Sequence, residues 1–317
     1  MKEKQKLIVL VGPTAVGKTK LSIEIAKTFN AEIISGDSMQ IYRGMDIGTA
    51  KIQPCEMDGV PHHLLDIRDP DEPFSVAEFQ SLVRQKISEI SNRGALPFIV
   101  GGTGLYIQSV LYDYQFSESP GDPLYRQQLE KIASGGGTAD LYEKLKTIDP
   151  ESAENIHPHN IRRLIRALEI FHSTGKTMSE YQQEQNKGLM YDTALAGLAM
   201  ERELLYTRIN KRVDLMLQEG LLEEVMSLHQ RGIRDVQSVK AIGYKEIYQY
   251  LDGLVTLEEA IEHLKKNSRN YAKRQLTWFR NKMDVRWFDM TAEGEHLKKT
   301  AEIIQFIAGM LHLKSNT

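Results

Sequence analysis

The sequence predicts an α/β protein, a parallel sheet flanked by helices that is interrupted by a helical insertion and followed by a helical C-terminal region. Two observations predict it. Short apolar runs, KLIVLV (6–11), AEIISG (31–36), HHLLDI (62–67) and LPFIVGG (96–102), alternate with helical segments in the first third of the chain, the pattern of a buried parallel sheet. Helical periodicity fills most of the remainder, broken by one further strand-like run, LAGLAM (195–200).

The first run leads into GPTAVGKT (12–19), which fits G-x-x-x-x-G-K-[ST], and then into KTKLSIEIAKTF (18–29), which reads as a helix. Strand, loop and helix in this order make a P-loop-type arrangement. Gly12, Pro13, Thr14, Ala15, Val16 and Gly17 turn backbone N–H groups around an anion at the helix N-terminus. Lys18 adds a positive charge, and the Thr19 hydroxyl reaches a magnesium ion, Mg2+.

The next run ends in ISGDSMQIYRGMDIGTAK (34–51), which sets Asp37 just beyond the C-terminal end of a strand, where open α/β sheets place ligands. Three readings of Asp37 stand: a metal-holding acid, a general base, or a solvated turn residue. Asp66 in HLLDI competes for the metal role, because apolar residues ending in Asp have the shape of a Walker B strand. FIVGGTGLY (98–106) is again a strand running into glycines, with Thr103 offering a hydroxyl and the turn offering free backbone donors. The same glycines also serve close packing.

Residues 117–190, bracketed by the turn-rich SESPGD and NKGLMYD, form the expected helical insertion domain, leaving 1–116 and 191–317 as the core domain with its C-terminal helices. With 317 residues, 41% of them hydrophobic, the chain is long enough for a full core and more than one domain. No 18-residue apolar run occurs, so no membrane span is expected. A single cysteine, Cys55, fits a reducing, cytoplasmic setting. The net charge of −3 confines any nucleic-acid surface to local patches.

GPTAVGKT, SGDSMQIYRGMDIGTAK, HHLLDIRDP, FIVGGTGLY, HPHNIRRLIRALE, AIGYKE and AKRQLTWFR, in this order, resemble the tRNA dimethylallyltransferases of bacteria over nearly the whole chain. The resemblance implies transfer of a dimethylallyl group from dimethylallyl diphosphate to N6 of the adenine 3′ of the anticodon, with release of pyrophosphate and no use of ATP. It implies that the phosphate loop holds the prenyl diphosphate and that Asp37 takes the amine proton. Thr103 then sits near the reacting centre, Lys18 belongs to the catalytic set, and Asp37, Ser38, Met39 and Gln40 touch tRNA. An arginine of RELLYTRINKR (202–212) reaches the diphosphate; Arg208 and Arg212 share a helix face, and the choice between them stays open.

The tRNA grip is expected in local basic strips. In TLEEAIEHLKKNSRNYAKRQLTWFR (256–280), Thr256 and Glu259 form a capping box and Leu257, Ile261, Leu264, Tyr271 and Trp278 the inward stripe. Lys266, Arg269, Lys273 and Arg280 line another face. KKNSRNYAKRQLTWFRNKMDVR carries eight Lys or Arg against one Asp, interleaved with aromatics that suit stacking on unpaired bases. Arg274, Gln275 and Trp278 on this segment, Lys240, Tyr244 and Lys245 around AIGYKE, and Arg126, Arg162, Arg163 and Arg166 in the insertion complete the expected contacts with an anticodon stem-loop. Met39 and Tyr42 are candidates to touch the flipped base. His62, His63, His157 and His159 lack zinc-like spacing and read as structural. The protein is expected to act as a monomer. A prenyltransferase on free adenine nucleotides, a P-loop small-molecule kinase and a nonenzymatic RNA-binding protein are the alternatives; the first two leave the basic segment unused, and the third leaves Asp37 opposite the loop unexplained.

Overall fold

The computed structural model describes residues 4–114, 116, 122–184, 188–292 and 294–313. Six strands, β1 (Lys6–Val11), β2 (Ala31–Gly36), β3 (His62–His63), β4 (Leu96–Gly101), β5 (Asp192–Ala199) and β6 (Arg286–Asp289), form one parallel sheet in the order β3-β2-β4-β1-β5-β6. Around them run α1 (Lys18–Phe29), α2 (Val76–Asn92), α3 (Gly104–Leu111), α4 (Pro123–Ser134), α5 (Thr138–Ile148), α6 (Pro150–Asn155) and α7 (Ile161–Thr174). α8 (Met178–Glu184), α9 (Arg202–Gln218), α10 (Leu221–Gln230), α11 (Tyr244–Leu251), α12 (Leu257–Lys282) and α13 (His296–Leu311) follow. None of the helices among the described residues is long and apolar enough to cross a membrane.

The expected α/β architecture is therefore observed, with two departures in the strands. HHLLDI is a strand only at His62 and His63, because Leu64 (φ 61°) and Asp66 (φ 54°) take left-handed backbone that no ladder tolerates. β6 was not expected; it is four residues long and carries one buried side chain, Phe288, too little for a periodic signal. The central strand β1 is buried from Leu7 to Val11, as its unbroken apolar run requires. Ile8, Leu10, Ala196 and Leu198 pack on one face of the sheet with Leu21 and Ile25 of α1 and Ile303 and Ile307 of α13.

Strand order fixes where a ligand goes. From β1 the chain moves past β4 to β2, whereas from β4 it eventually returns past β1 to β5, so neighbouring strands β1 and β4 send the chain in opposite directions. A crevice opens between such strands at their C-terminal ends. Register sharpens it: Val11 pairs with Gly101, and Gly101 with Gly36, so the loops after β1, β2 and β4 leave the sheet at one level.

The chain divides into two compact units, Met1–Leu111 with Leu189–Thr317, and Tyr112–Gly188. The turn-rich segments 117–122 and 186–192 fall partly outside the described residues. The helical unit has an apolar core of its own, in which Leu129, Leu145, Leu164 and Leu168 are buried. One buried carboxylate ties its short helices. Asp149, 2% exposed, accepts the Ser152 N–H at the start of α6 (3.0 Å) together with the Ser179 N–H (3.0 Å) and hydroxyl (2.7 Å) at α8. Asp149→Ala leaves these donors unpaired, and a loss of about 2 to 3 kcal/mol is expected. Hydrogen exchange should show it first at amides of α6 and α8, with the sheet amides unchanged.

Candidate functional site

The loop after β1 enters α1 at Gly17, whose φ of 103° is left-handed and whose missing side chain leaves the first-turn N–H groups uncapped. The Lys18 ammonium folds back over the loop and donates to the carbonyls of Gly12 (2.9 Å) and Pro13 (2.7 Å). Burial above all, and neighbouring Arg212, lower its pKa to about 7 against an upward pull from Asp37. Arg212, on α9, donates from Nη1 to the Thr14 hydroxyl at 3.2 Å. Arg208 makes no hydrogen bond or ion pair among the described residues, so the structure sets Arg212 rather than Arg208 on the loop. Gly17, Lys18, Thr19 and Arg212 line a cleft of about 690 Å³, a volume typical of small-molecule sites. Glu24, Glu56 and Asp58 line it as well and were not anticipated.

Asp37 leaves the end of β2 and faces these cations. Its Oδ1 accepts the Met39 N–H at 2.8 Å. Burial pushes its pKa above the ordinary aspartate value, and the Met39 hydrogen bond and the Lys18 charge oppose that rise. Thr103 leaves the end of β4; its Oγ1 accepts the Ser38 N–H at 3.1 Å, and its own N–H donates to Gly36 O at 3.2 Å. A phenol from α12, Tyr271, stands beside Thr103, and burial raises its pKa to about 12. Lys18, Asp37, Thr103 and Arg212 thus share one crevice, with Thr19 exposed at its rim.

The segment following Asp37 is held by Gln40, expected as a tRNA contact and not as a brace, and by Glu224 and Lys51, which the sequence reading missed. The Gln40 amide accepts from the Ser35 hydroxyl (2.9 Å) and donates to the carbonyls of Thr49 and Ala50 (both 3.3 Å), so it braces the segment from inside. The Glu224 carboxylate accepts three successive N–H groups, from Asp46 (2.8 Å), Ile47 (2.8 Å) and Gly48 (3.0 Å). Lys51, 6% exposed, donates to Tyr42 O (2.7 Å) and pairs with Asp46 and Asp66 (both 2.6 Å). The Asp66 carboxylate is therefore directed to Lys51, and the Walker B reading of HLLDI is corrected. No local signal marks Glu224 or Lys51 for these duties.

Several expected RNA contacts need correction. Tyr244 is fully buried and donates its hydroxyl to Glu224 at 2.6 Å, and Tyr42 is fully buried as well. Gln275 is 5% exposed and occupied by backbone groups. The inward face of α12 is Ala260, Leu264, Ala272, Gln275 and Phe279, in place of Leu257, Ile261, Tyr271 and Trp278; small side chains sit at the close approaches, and Trp278 lies half-buried over Gly104. Thr256 and Glu259 do form the capping box.

Of the outer stripe, Lys266 and Lys273 are exposed and unpaired among the described residues, Arg269 donates to Asn210 (2.6 Å), and Arg280 lies over the Trp287 ring. Arg274 lies over the Tyr271 ring. Lys240 donates to Asp235 O (2.7 Å) and Lys245 pairs with Glu246 (3.4 Å). In the helical unit Arg162, Arg163 and Arg166 are exposed at the start of α7, with Arg126 and Arg166 both directed at the buried Glu169 (3.5 and 3.9 Å). The imidazoles of His62 and His63 meet Val60 O (2.8 Å) and Glu32 (2.6 Å).

The profile of the IPP transferase family matches residues 40–282. The tRNA dimethylallyltransferase of Bacillus mycoides (strain KBAB4) is 62% identical over 314 residues, 99% of this chain and 98% of its own. That of Geobacillus thermodenitrificans (strain NG80-2) is 62% identical over 312 residues, 98% of this chain and 99% of its own. Among solved structures, the full-length tRNA isopentenylpyrophosphate transferase of Bacillus halodurans superposes with a TM-score of 0.75 at 58% identity, covering 98% of this chain and 97% of that one. A eukaryotic dimethylallyltransferase acting on tRNA gives 0.83 at 32% identity, over 99% and 81%.

Glu224→Gln tests the rear brace. A carboxamide keeps the size but turns an NH2 group toward backbone donors, and a fall in stability of about 2 to 3 kcal/mol is expected in urea denaturation. An unchanged midpoint would show that the 46–48 turn holds without the carboxylate.

Proposed function

The chain belongs to the IPP transferase family, and from that premise we propose that it transfers a dimethylallyl group from dimethylallyl diphosphate to N6 of the adenine 3′ of the anticodon in tRNA, releasing pyrophosphate. The observation that carries this reading is the convergence of Lys18, Arg212 and Asp37 at the aligned strand ends. Two cations suit a leaving diphosphate, and a buried carboxylate with a raised pKa suits removal of an amine proton.

Adenine's exocyclic amine is a weak nucleophile, since its lone pair is delocalised into the ring. Attack on the allylic carbon therefore leans on the departing group. Lys18, Arg212 and the uncapped N–H groups of α1 lie where charge grows on the pyrophosphate, and preorganised donors of this kind contribute about 3 to 4 kcal/mol each. Asp37 accepts the proton released as the new C–N bond forms, and a positioned base contributes about 100- to 10,000-fold. Magnesium fits the site as a phosphate-bound ion: the described residues contain no cluster of three or more acidic, His or Cys ligands, and Thr19 offers one oxygen beside the loop. When bound it neutralises diphosphate charge.

The tRNA grip is assigned to Lys266, Lys273, Arg274 and Arg280 on α12, and in the insertion, residues 117–190, to Arg162, Arg163 and Arg166. We place the protein in the cytoplasm as a monomer. Incubation with magnesium, dimethylallyl diphosphate and unmodified tRNA, with ATP and AMP as competing co-substrates, tests the whole reading. N6-modified adenosine in the digested tRNA supports it; ADP release without that product sinks it.

Asp37→Asn should bind both substrates normally and transfer about 100-fold more slowly or worse. In the wild type, kcat/KM for the donor should be bell-shaped. Its acid limb lies above the ordinary carboxylate range, because Asp37 holds its proton longer, and its alkaline limb begins near pH 7, where free Lys18 loses its charge. Bound diphosphate restores that proton, so kcat should hold to higher pH.

Neutralising Lys266 or Lys273 should flatten the slope of log K for tRNA against log salt by roughly 0.7 to 0.9, with donor affinity unchanged. Equal slopes in wild type and both variants would mark the stripe as a solvated face.

A further inference from the structure

We propose that Gln275 is a positioning residue for the donor, a single amide that sets the spacing between the phosphate loop and the turn carrying Thr103. The inference rests on the donor reading of the phosphate loop and adds a residue to it. Gln275 Oε1 accepts the Thr14 N–H at 3.0 Å, and its Nε2 donates to Gly102 O at 3.0 Å. Thr14 belongs to the loop after β1 and Gly102 to the turn after β4, the two strands that flank the crevice. The amide therefore bridges the part of the site that holds the leaving group and the part next to the nucleophile.

Its orientation is not free. An N–H faces one end and a carbonyl the other, so only one arrangement of the amide satisfies both. Glutamate would set an acceptor against Gly102 O, methionine would pair with neither group, and asparagine falls one methylene short. The glycine opposite is part of the same device. A Cβ on Gly102 would lie 2.1 Å from Gln275 Nε2, so the GGT turn carries no side chain where the amide arrives.

Two further links extend the bridge on either side. The Thr14 hydroxyl accepts from Arg212, so the residue held by the amide also seats the guanidinium at the cleft. The buried phenol of Tyr271, one turn earlier on α12, stands beside Thr103 and Gln275. Gly102, Gln275, Thr14 and Arg212 form a continuous chain across the mouth of the crevice. α12 is packed by Ala260, Leu264, Ala272 and Phe279 without help from the amide, so the interior position of Gln275 answers to the loops it joins and not to the helix core. Displacement at carbon needs the amine, the allylic carbon and the leaving oxygen held in line, and misplacement by 1 Å costs about 100-fold.

The test uses the full chain, dimethylallyl diphosphate and unmodified tRNA. Gln275→Met keeps the volume and removes both hydrogen bonds. The expected result is about tenfold weaker donor binding and about 30- to 100-fold lower kcat, with the tRNA Kd within about twofold of wild type and the thermal midpoint shifted by only a few degrees. Gly102→Ala attacks the bridge from its other end and should give the same kinetic split. Combined with Gln275→Ala, which vacates the space, it should be no worse than Gln275→Ala alone. Donor binding measured by titration without RNA keeps this test separate from the transfer assay: a wild type that binds the donor but modifies no tRNA would overturn the functional reading and leave the bridge standing. The proposal is overturned by unchanged donor binding and kcat in Gln275→Met, by a loss of tRNA affinity as large as the loss for the donor, or by a collapse of thermal stability in which both substrates fail together.

Discussion

The site depends on holding one carboxylate and two cations at the level where three parallel strands end. In-register pairing of Val11, Gly101 and Gly36 is what brings Lys18 and Asp37 there, with Arg212 arriving from α9, since a slip of one residue would move a loop by about 3.3 Å and turn its side chains to the other face. Burial works against every charge in the group, raising Asp37 and lowering Lys18 and Arg212. Each carboxylate–cation attraction offsets part of that cost, whereas Lys18 and Arg212 repel. The group is thus short of negative charge, which the diphosphate of the proposed donor would supply.

Around this centre the chain uses backbone-directed side chains as fasteners. Gln40, Lys51, Glu224 and Gln275 each have partners on backbone amides or carbonyls of a loop; Gln275 holds the loops after β1 and β4, and the other three hold the segment that follows Asp37. Helix α12 serves two surfaces at once. Its inner face carries Gln275 and its outer face Lys266 and Lys273, so one element links the donor side of the site to the proposed RNA side.

The sequence made the sheet legible where the strand lies deep. β1, α1 and β2 coincide with the apolar runs and the loop pattern, because full burial leaves an uninterrupted signature. It failed where the signal is small or remote. β6 has one buried residue, and the end of β3 is set by backbone conformations at Leu64 and Asp66 that neither residue type announces. On α12 the bulk of Tyr271 and Trp278 drew the inward face toward them, while Ala272 and Phe279 occupy it. A clue was present in that Gln275 falls with Ala272 and Phe279 at helical spacing, a polar residue on an apolar stripe. Of the site, Gly12 to Thr19, Asp37 and Thr103 follow from their place after strands. Glu224 does not, for it bonds N–H groups up to 178 residues away.

The turn from Asp46 to Gly48 presents three successive N–H groups to one carboxylate, the same backbone concavity that phosphate loops present to their ligands. Here the guest is tethered. Glu224 cannot diffuse away, exchange with another anion or be washed out by salt to the extent an exposed pair would be. The protein therefore contains two anion cradles with opposite behaviour. The one proposed at Gly12 to Thr19 would fill according to the concentration of a mobile ligand, whereas the one at Asp46 to Gly48 holds its carboxylate at every concentration. The turn from Asp46 to Gly48 therefore has its anion built into the chain and needs none from solution.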